Sequence, residues 1–213
     1  MSDRYLVVGL GNPGPEYDQT RHNVGFRCVN ALAQAHGLAF DQKKKSKART
    51  ADGLIAGRRV LLAKPQTFMN LSGTSVQGLA AFYQIAPENI IVILDDLDLP
   101  LGTLRIRPKG GSGGHKGLTD IIQRLGTQDF PRIRFGIGRP PGRMDPAAFV
   151  LRRFDQDDLP VVSSAVERAI KAVEVWLVEG IDIAMNRYNG SAEEVAARQT
   201  QPAVPTTPPN QSD

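Results

Sequence analysis

The sequence predicts a single α/β domain: a twisted, mixed, largely parallel sheet with helices on both faces. Two short runs, Tyr5–Leu10 and Asn89–Leu94, are apolar throughout, as strands covered on both faces are. Segments with helical spacing follow the strand-like ones, each with one apolar face. The chain has 213 residues, 41% hydrophobic and 23% charged, which suits one well-buried core and is short for two.

The first run ends in Gly9-Leu10-Gly11-Asn12-Pro13-Gly14-Pro15, which forces a turn. Thr20 is a good N-cap for the helix behind it, in which Val24, Cys28, Leu32 and Ala35 recur at helical spacing. His36-Gly37 closes that helix, so His36 has a sufficient structural role. Cys28, the single cysteine, lies on the apolar face and excludes a disulfide framework or a thiolate cluster. Asp41–Asp52, with Lys43, Lys44, Lys45, Lys47 and Arg49, reads as a solvated loop, with a phosphate contact as the alternative.

Leu54–Ala56 and Val60–Ala63 suggest a hairpin, and Gln66–Gly73 leads into a helix carrying Val76, Leu79, Ala80 and Tyr83. The second apolar strand ends in Asp95-Asp96-Leu97-Asp98, and ligands collect at the carboxyl ends of such strands. Thr103–Arg107 and Pro131–Ile137 alternate, with Arg105 and Arg107 on one strand and Arg132 and Arg134 on the other. These arginines could form a phosphate-reading surface; two half-exposed strands with solvated arginines fit the pattern equally well. A helix through Leu118, Ile121, Ile122 and Leu125 separates the two strands, and a longer one spans about Asp155 to Val178. Ala184–Tyr188 closes the domain at about residue 190. Residues 191–213 have too few large apolar side chains to fold and are expected to be disordered.

The net charge is +4, and residues 191–213 hold three acids against one arginine, so the body carries +6. That balance suits a polyanionic partner, although charge alone is weak evidence. The first apolar run is too short for a signal peptide, and no window approaches the roughly 20 apolar residues of a membrane span. A cytoplasmic location away from membranes is the expectation.

Three motifs match and mislead. Gly9–Gly14 has dinucleotide-fingerprint spacing, yet Pro13 and Pro15 remove two amides and the helix starts too late to hold a pyrophosphate. Gly110-Gly111-Ser112-Gly113-Gly114 fits a serine-hydrolase elbow, but Pro108 breaks the strand that must enter it and no histidine follows His115. His22, His115 and Asp95 could supply a two-histidine, one-carboxylate set, but no pair has the close spacing of a preformed metal motif. No metal and no cofactor is expected.

What remains is His22, His115 and the Asp95/Asp96/Asp98 cluster. A histidine at a helix N-terminus is kept neutral, as a base requires, and a carboxylate at a strand end can take its other N–H. Asn12 and Asn70 can hold a carbonyl or an oxyanion, and capping fits each as well.

Gly9-Leu10-Gly11-Asn12-Pro13-Gly14, Tyr17, Thr20-Arg21-His22-Asn23, Phe68–Gly73, Asp95–Pro100, Gly113-Gly114-His115 and Arg134–Gly138 stand in one register along roughly residues 4–190. In these blocks the chain resembles bacterial-type peptidyl-tRNA hydrolases. The resemblance implies hydrolysis of the ester between a stalled peptide and the terminal ribose of tRNA, by a monomer with no obligate protein partner. It implies His22 as catalytic base, Asp95 as the group that polarises it, and Asn12 as a catalytic-site amide. It also implies Tyr17, Asn23, Met69, Asn70, His115 and Lys116 around the substrate, with Arg105, Arg107 and Arg134 toward tRNA. One position departs: Lys116 stands where the family usually has asparagine, replacing a donor and acceptor with a flexible cation. A non-catalytic RNA-binding protein on the same scaffold, or a hydrolase of a small ester or peptide, are the other readings.

Overall fold

A computed structural model of the chain describes residues 3–41 and 45–200. Six strands form one sheet: β1 (Arg4–Gly9), β2 (Ala48–Ile55), β3 (Arg58–Pro65), β4 (Ile90–Asp96), β5 (Leu104–Arg107) and β6 (Arg132–Gly136), in the spatial order β2-β3-β1-β4-β6-β5. The inner four are parallel, and β2 and β5 run antiparallel at the two edges. The sheet is therefore mixed and largely parallel, as expected.

Helices cover both faces. Val7, Leu62, Ile91, Ile93 and Phe135 pack against α1 (Val24–Ala35) and α5 (Leu159–Glu179). Leu6, Val8, Leu61, Val92 and Leu94 pack against α2 (Ser72–Tyr83) and α3 (Lys116–Leu125). Alternate residues of β1 and β4 thus enter opposite cores, which is why Leu6–Gly9 and Ile90–Leu94 contain no polar residue. The Arg105/Arg107 face of β5 stays exposed while Leu104 and Ile106 are buried. Leu104 and Gly190 exchange backbone hydrogen bonds of 3.0 and 2.8 Å, and the Asn189 side chain bonds Ile106 N–H at 2.5 Å, so the outer edge of β5 is closed.

Several elements differ from the expectation. Helix α1 begins at Val24, after a 3-10 turn over Arg21–Asn23. Thr20 therefore caps nothing with its side chain; its hydroxyl donates back to the Tyr17 carbonyl at 2.9 Å. Strand β2 starts at Ala48, inside the segment read as a loop, because all eight of its residues pair with β3. Lys43 and Lys44 lie outside the described residues. A short helix, α4 (Pro146–Val150), is additional; its start carries an Asp145 cap on Ala148 N–H at 3.2 Å and a proline in the first turn.

The stretch expected to be disordered opens with helix α7 (Ala192–Thr200), which follows α6 (Ile181–Tyr188). Val195 is buried there and Arg198 reaches back to the Asn189 carbonyl, so one apolar contact and one clamp suffice to hold it. Residues 201–213 lie outside the described set. Elsewhere, Gly37 adopts a φ of +64° behind His36, whose Nε2 lies 2.8 Å from Glu174 Oε1, and Cys28 is buried, which pushes its thiol up to about 12.

The start of α1 presses onto the ends of β1 and β4 through a glycine pair. A Cβ on Gly9 would lie 2.2 Å from the Gly25 carbonyl oxygen, and one on Gly25 would lie 2.4 Å from Leu10 N and 2.5 Å from Ile93 O. We expect Gly25→Ala to destabilise the domain by about 3 kcal/mol. For a chain of this size that lowers the melting temperature by roughly 6–12 °C, readable by calorimetry. An unchanged melt would mean that the helix moves away without penalty.

Candidate active site

The carboxyl ends of β1 and β4, the turn before α1 and the turn before α3 meet in an open cleft of about 1000 Å³. Asp95, second from the end of β4, is 4% exposed and lies at its floor. Its Oδ1 is 2.8 Å from His22 Nδ1 and 3.0 Å from His115 Nε2. His115 is the N-cap of α3, and its Nδ1 accepts the Leu118 N–H at 3.2 Å.

That cap settles the protons. A ring nitrogen that accepts from a backbone N–H carries no proton, so His115 holds its proton on Nε2 and donates it to Asp95. Both nitrogens of His115 are then occupied. His22 likewise donates from Nδ1 to the carboxylate, which leaves its Nε2 lone pair without a hydrogen-bond partner among the described residues. Burial pushes the Asp95 carboxyl up, but attraction and hydrogen bonding from the two imidazoles outweigh it and hold the group well below the usual carboxylate range. Asp95 is an anion held between His22, whose Nε2 is open, and His115, whose Nδ1 is used as a cap.

The same three side chains place candidate ligand atoms within 4.8 Å of one another. A metal on His115 Nε2 would force that ring's proton onto Nδ1, against the Leu118 N–H. The donor set therefore suits a hydrogen-bonded relay better than a metal centre.

Asn12 is buried on the cleft wall. Its Oδ1 accepts the Met69 N–H at 2.8 Å, so its amide nitrogen is the donor left over for a substrate oxygen. Asn23, expected among the substrate contacts, is 1% exposed; its side chain bonds the N–H and the carbonyl of Asn12 at 2.8 and 2.9 Å. It positions Asn12 and does not reach the cleft. Asn70, Met69 and Lys116 line the cleft, with Asn70 and Lys116 exposed. Met69 is seated by Gly117, where a Cβ would come within 2.6 Å of its sulfur. Tyr17 is not brought into the cleft: its backbone closes the turn from Gly14 and its side chain is half-buried away from the lining.

The arginines divide. Arg105 and Arg107 are exposed on β5 and line a separate hollow of about 440 Å³. Arg134 lines the catalytic cleft but is ion-paired to Asp96 at 2.8 Å, under Gly113. Arg132, with the same alternation, is 2% exposed and spends its guanidinium on the carbonyls of Phe130, Gly110 and Gln128, which pins the glycine-rich loop.

Arg21 had no role assigned from sequence. Next to His22, it is buried, with its guanidinium 4.5 Å from the Phe149 ring and 5.1 Å from the Phe154 ring. It donates to the Arg153 carbonyl and pairs with Asp155 and Asp158, each at 3.3 Å. It ties the catalytic turn to the segment around α4, whose Met144, Pro146, Ala147, Val150 and Leu151 form the apolar wall of the cleft. No spacing rule signals such a tether.

The family model described as "Peptidyl-tRNA hydrolase" matches residues 6–197. The chain belongs to the peptidyl-tRNA hydrolase family. It is 51% identical over 186 residues to the peptidyl-tRNA hydrolase of Chloroflexus aggregans, covering 87% of this chain and 98% of that one. It is also 51% identical over 187 residues to that of Rhodococcus opacus, with 88% and 98% covered. A crystal structure of peptidyl-tRNA hydrolase from Acinetobacter baumannii superposes with a TM-score of 0.82 at 39% identity, over 89% of this chain and 97% of that one. The family match runs past Gly190 into α7, in line with the helix found where disorder was expected.

Proposed function

We propose that His22 is the general base with which this peptidyl-tRNA hydrolase family member cleaves the ester joining a peptide to the terminal ribose of tRNA. The observation that carries it is the shared Asp95 oxygen, with His115 closed by its cap and His22 Nε2 left open to the cleft. A water at Nε2 gives up a proton as its oxygen attacks the ester carbonyl. Asp95 stabilises the imidazolium that forms, and the Asn12 amide donates to the developing oxyanion. Collapse of the tetrahedral adduct expels the ribose hydroxyl, which takes the proton back from His22 Nε2. The products are a free peptide acid and tRNA with its terminal hydroxyl restored.

In this reading Asn70, Met69 and Lys116, which line the cleft, contact the acyl end, and Arg105, Arg107 and Arg134 contact the RNA. The same reading has the protein act as a monomer in the cytoplasm, where tRNA is charged and used. No helix among the described residues is long and apolar enough to cross a membrane. A release assay comparing peptidyl-tRNA with a free aminoacyl ester tests the substrate class. Release from peptidyl-tRNA with little turnover of the free ester is expected. Equal turnover of both would point to a general esterase, and no release from either to a binding protein.

A further inference from the structure

Two half-buried cations face one another at the carboxyl end of the β2–β3 hairpin with no carboxylate in ion-pair contact among the described residues. Arg49 and Lys64 are direct partners in the antiparallel register. Lys64 Nζ donates to Asn30 Oδ1 at 2.5 Å and lies 4.1 Å from the Phe40 ring centroid. Arg49 Nε donates to the Asp41 carbonyl at 3.3 Å. Among the described residues neither forms an ion pair with a carboxylate. Each bond occupies one N–H of its cation with an uncharged oxygen and leaves the charge, and like charges directly opposite on paired strands are destabilising. Burial, and then Arg49, push the Lys64 ammonium down to about 8, with Asp18 opposing.

The pair stands beside the catalytic loop. Lys64 Nζ is also 5.9 Å from the Phe26 ring, and Phe26 packs under Gly11, where a Cβ would come within 2.8 Å of it. Strand β3 adjoins β1, so this pair flanks the site on the side away from β5 and β6. Lys45 and Lys47, both exposed, precede Arg49 in the chain. A run of cations suits a repeating phosphate backbone better than a single peptide carboxylate. An arginine fork beside a lysine point charge is a common phosphate-binding pair.

We propose that Arg49 and Lys64 bind a backbone phosphate of the RNA part of the substrate, a contact separate from the arginine face of β5 and β6. The proposal rests on the peptidyl-tRNA reading, and its test uses binding alone so that the two can fail independently. Fluorescence anisotropy of labelled, deacylated tRNA would be followed across a salt series for the intact chain, Lys64→Gln, Arg49→Gln, the double variant and Lys64→Arg. Each Gln variant should weaken binding roughly tenfold and flatten the log–log salt slope by about 1. Lys64→Arg should keep both values close to those of the intact chain. Should Lys64→Gln melt early, Lys64→Met keeps the stem over Phe40 and replaces it. A double variant that melts normally and binds with unchanged affinity and slope overturns the proposal. So does unchanged RNA binding with a selective loss of release from acidic peptides, which would make the ligand a peptide carboxylate. Failure of the intact chain to release peptide would instead remove the hydrolase reading, whatever the binding data show.

Discussion

His22→Ala should reduce peptide release from peptidyl-tRNA by about 10²–10⁴-fold while leaving tRNA affinity within a factor of a few. The imidazole lies in the cleft, away from the exposed arginines of β5, so its removal takes a base and no phosphate contact. Single-turnover release alongside anisotropy with deacylated tRNA separates the two effects. His115 cannot take over, because its Nδ1 caps α3 and its Nε2 faces Asp95. Turnover retained in His22→Ala would dispose of the base assignment.

Asp95→Asn should lower turnover by roughly 10³–10⁴-fold, as loss of the carboxylate behind a catalytic histidine does elsewhere. The amide can still fill the space, but it cannot stabilise an imidazolium, and it admits the wrong tautomer of His22. Stability should separate the proteins in a pH-dependent way. The Asp95 carboxyl is held below its ordinary value near 4. The stabilisation from its charge is therefore complete above about pH 4 and is lost only as pH falls further toward the folded value. The stability gap between the intact chain and Asp95→Asn in urea melts should not narrow between about pH 5 and 8, and should narrow only in stronger acid. A gap that closes between pH 5 and 7 would show Asp95 titrating there, contrary to its two-histidine environment.

The substitution at Lys116 acquires a physical setting. It is the first residue of α3, directly after the capping histidine, and its side chain is exposed in the cleft. An exposed cation there can approach the acyl end or the terminal phosphates without displacing His115, whose contacts run the other way.

Much of the fold was legible in local pattern. The runs Tyr5–Leu10 and Asn89–Leu94 could be read as buried parallel strands because both of their faces meet apolar cores, and burial on two faces leaves an unbroken apolar sequence. Asp95 was legible for a related reason: a titratable group directly after such a run has left the core and sits where parallel strands end, whereas His22 was read from its place near a helix start. The extent of β2 was not legible, because Ala48–Asp52 is polar and owes its strand form to pairing with β3. Nor was α7, whose short sequence has a single buried apolar anchor, Val195.

Alternation put Arg132 and Arg134 on one face and could go no further. The glycine-rich loop folds over Arg132 and buries it, so only packing distant in sequence separates a structural arginine from a cleft arginine. Asn12 and Asn23 are chemically alike, but the Asn23 side chain is turned onto the backbone of Asn12 while that of Asn12 accepts the Met69 N–H on the cleft wall. On sequence grounds His22 was the candidate base, from its place near a helix start and from the resemblance. The tertiary structure adds the surroundings of each ring, because a proton's position on an imidazole depends on what faces its second nitrogen. Here one histidine faces the start of a helix and the other faces the cleft.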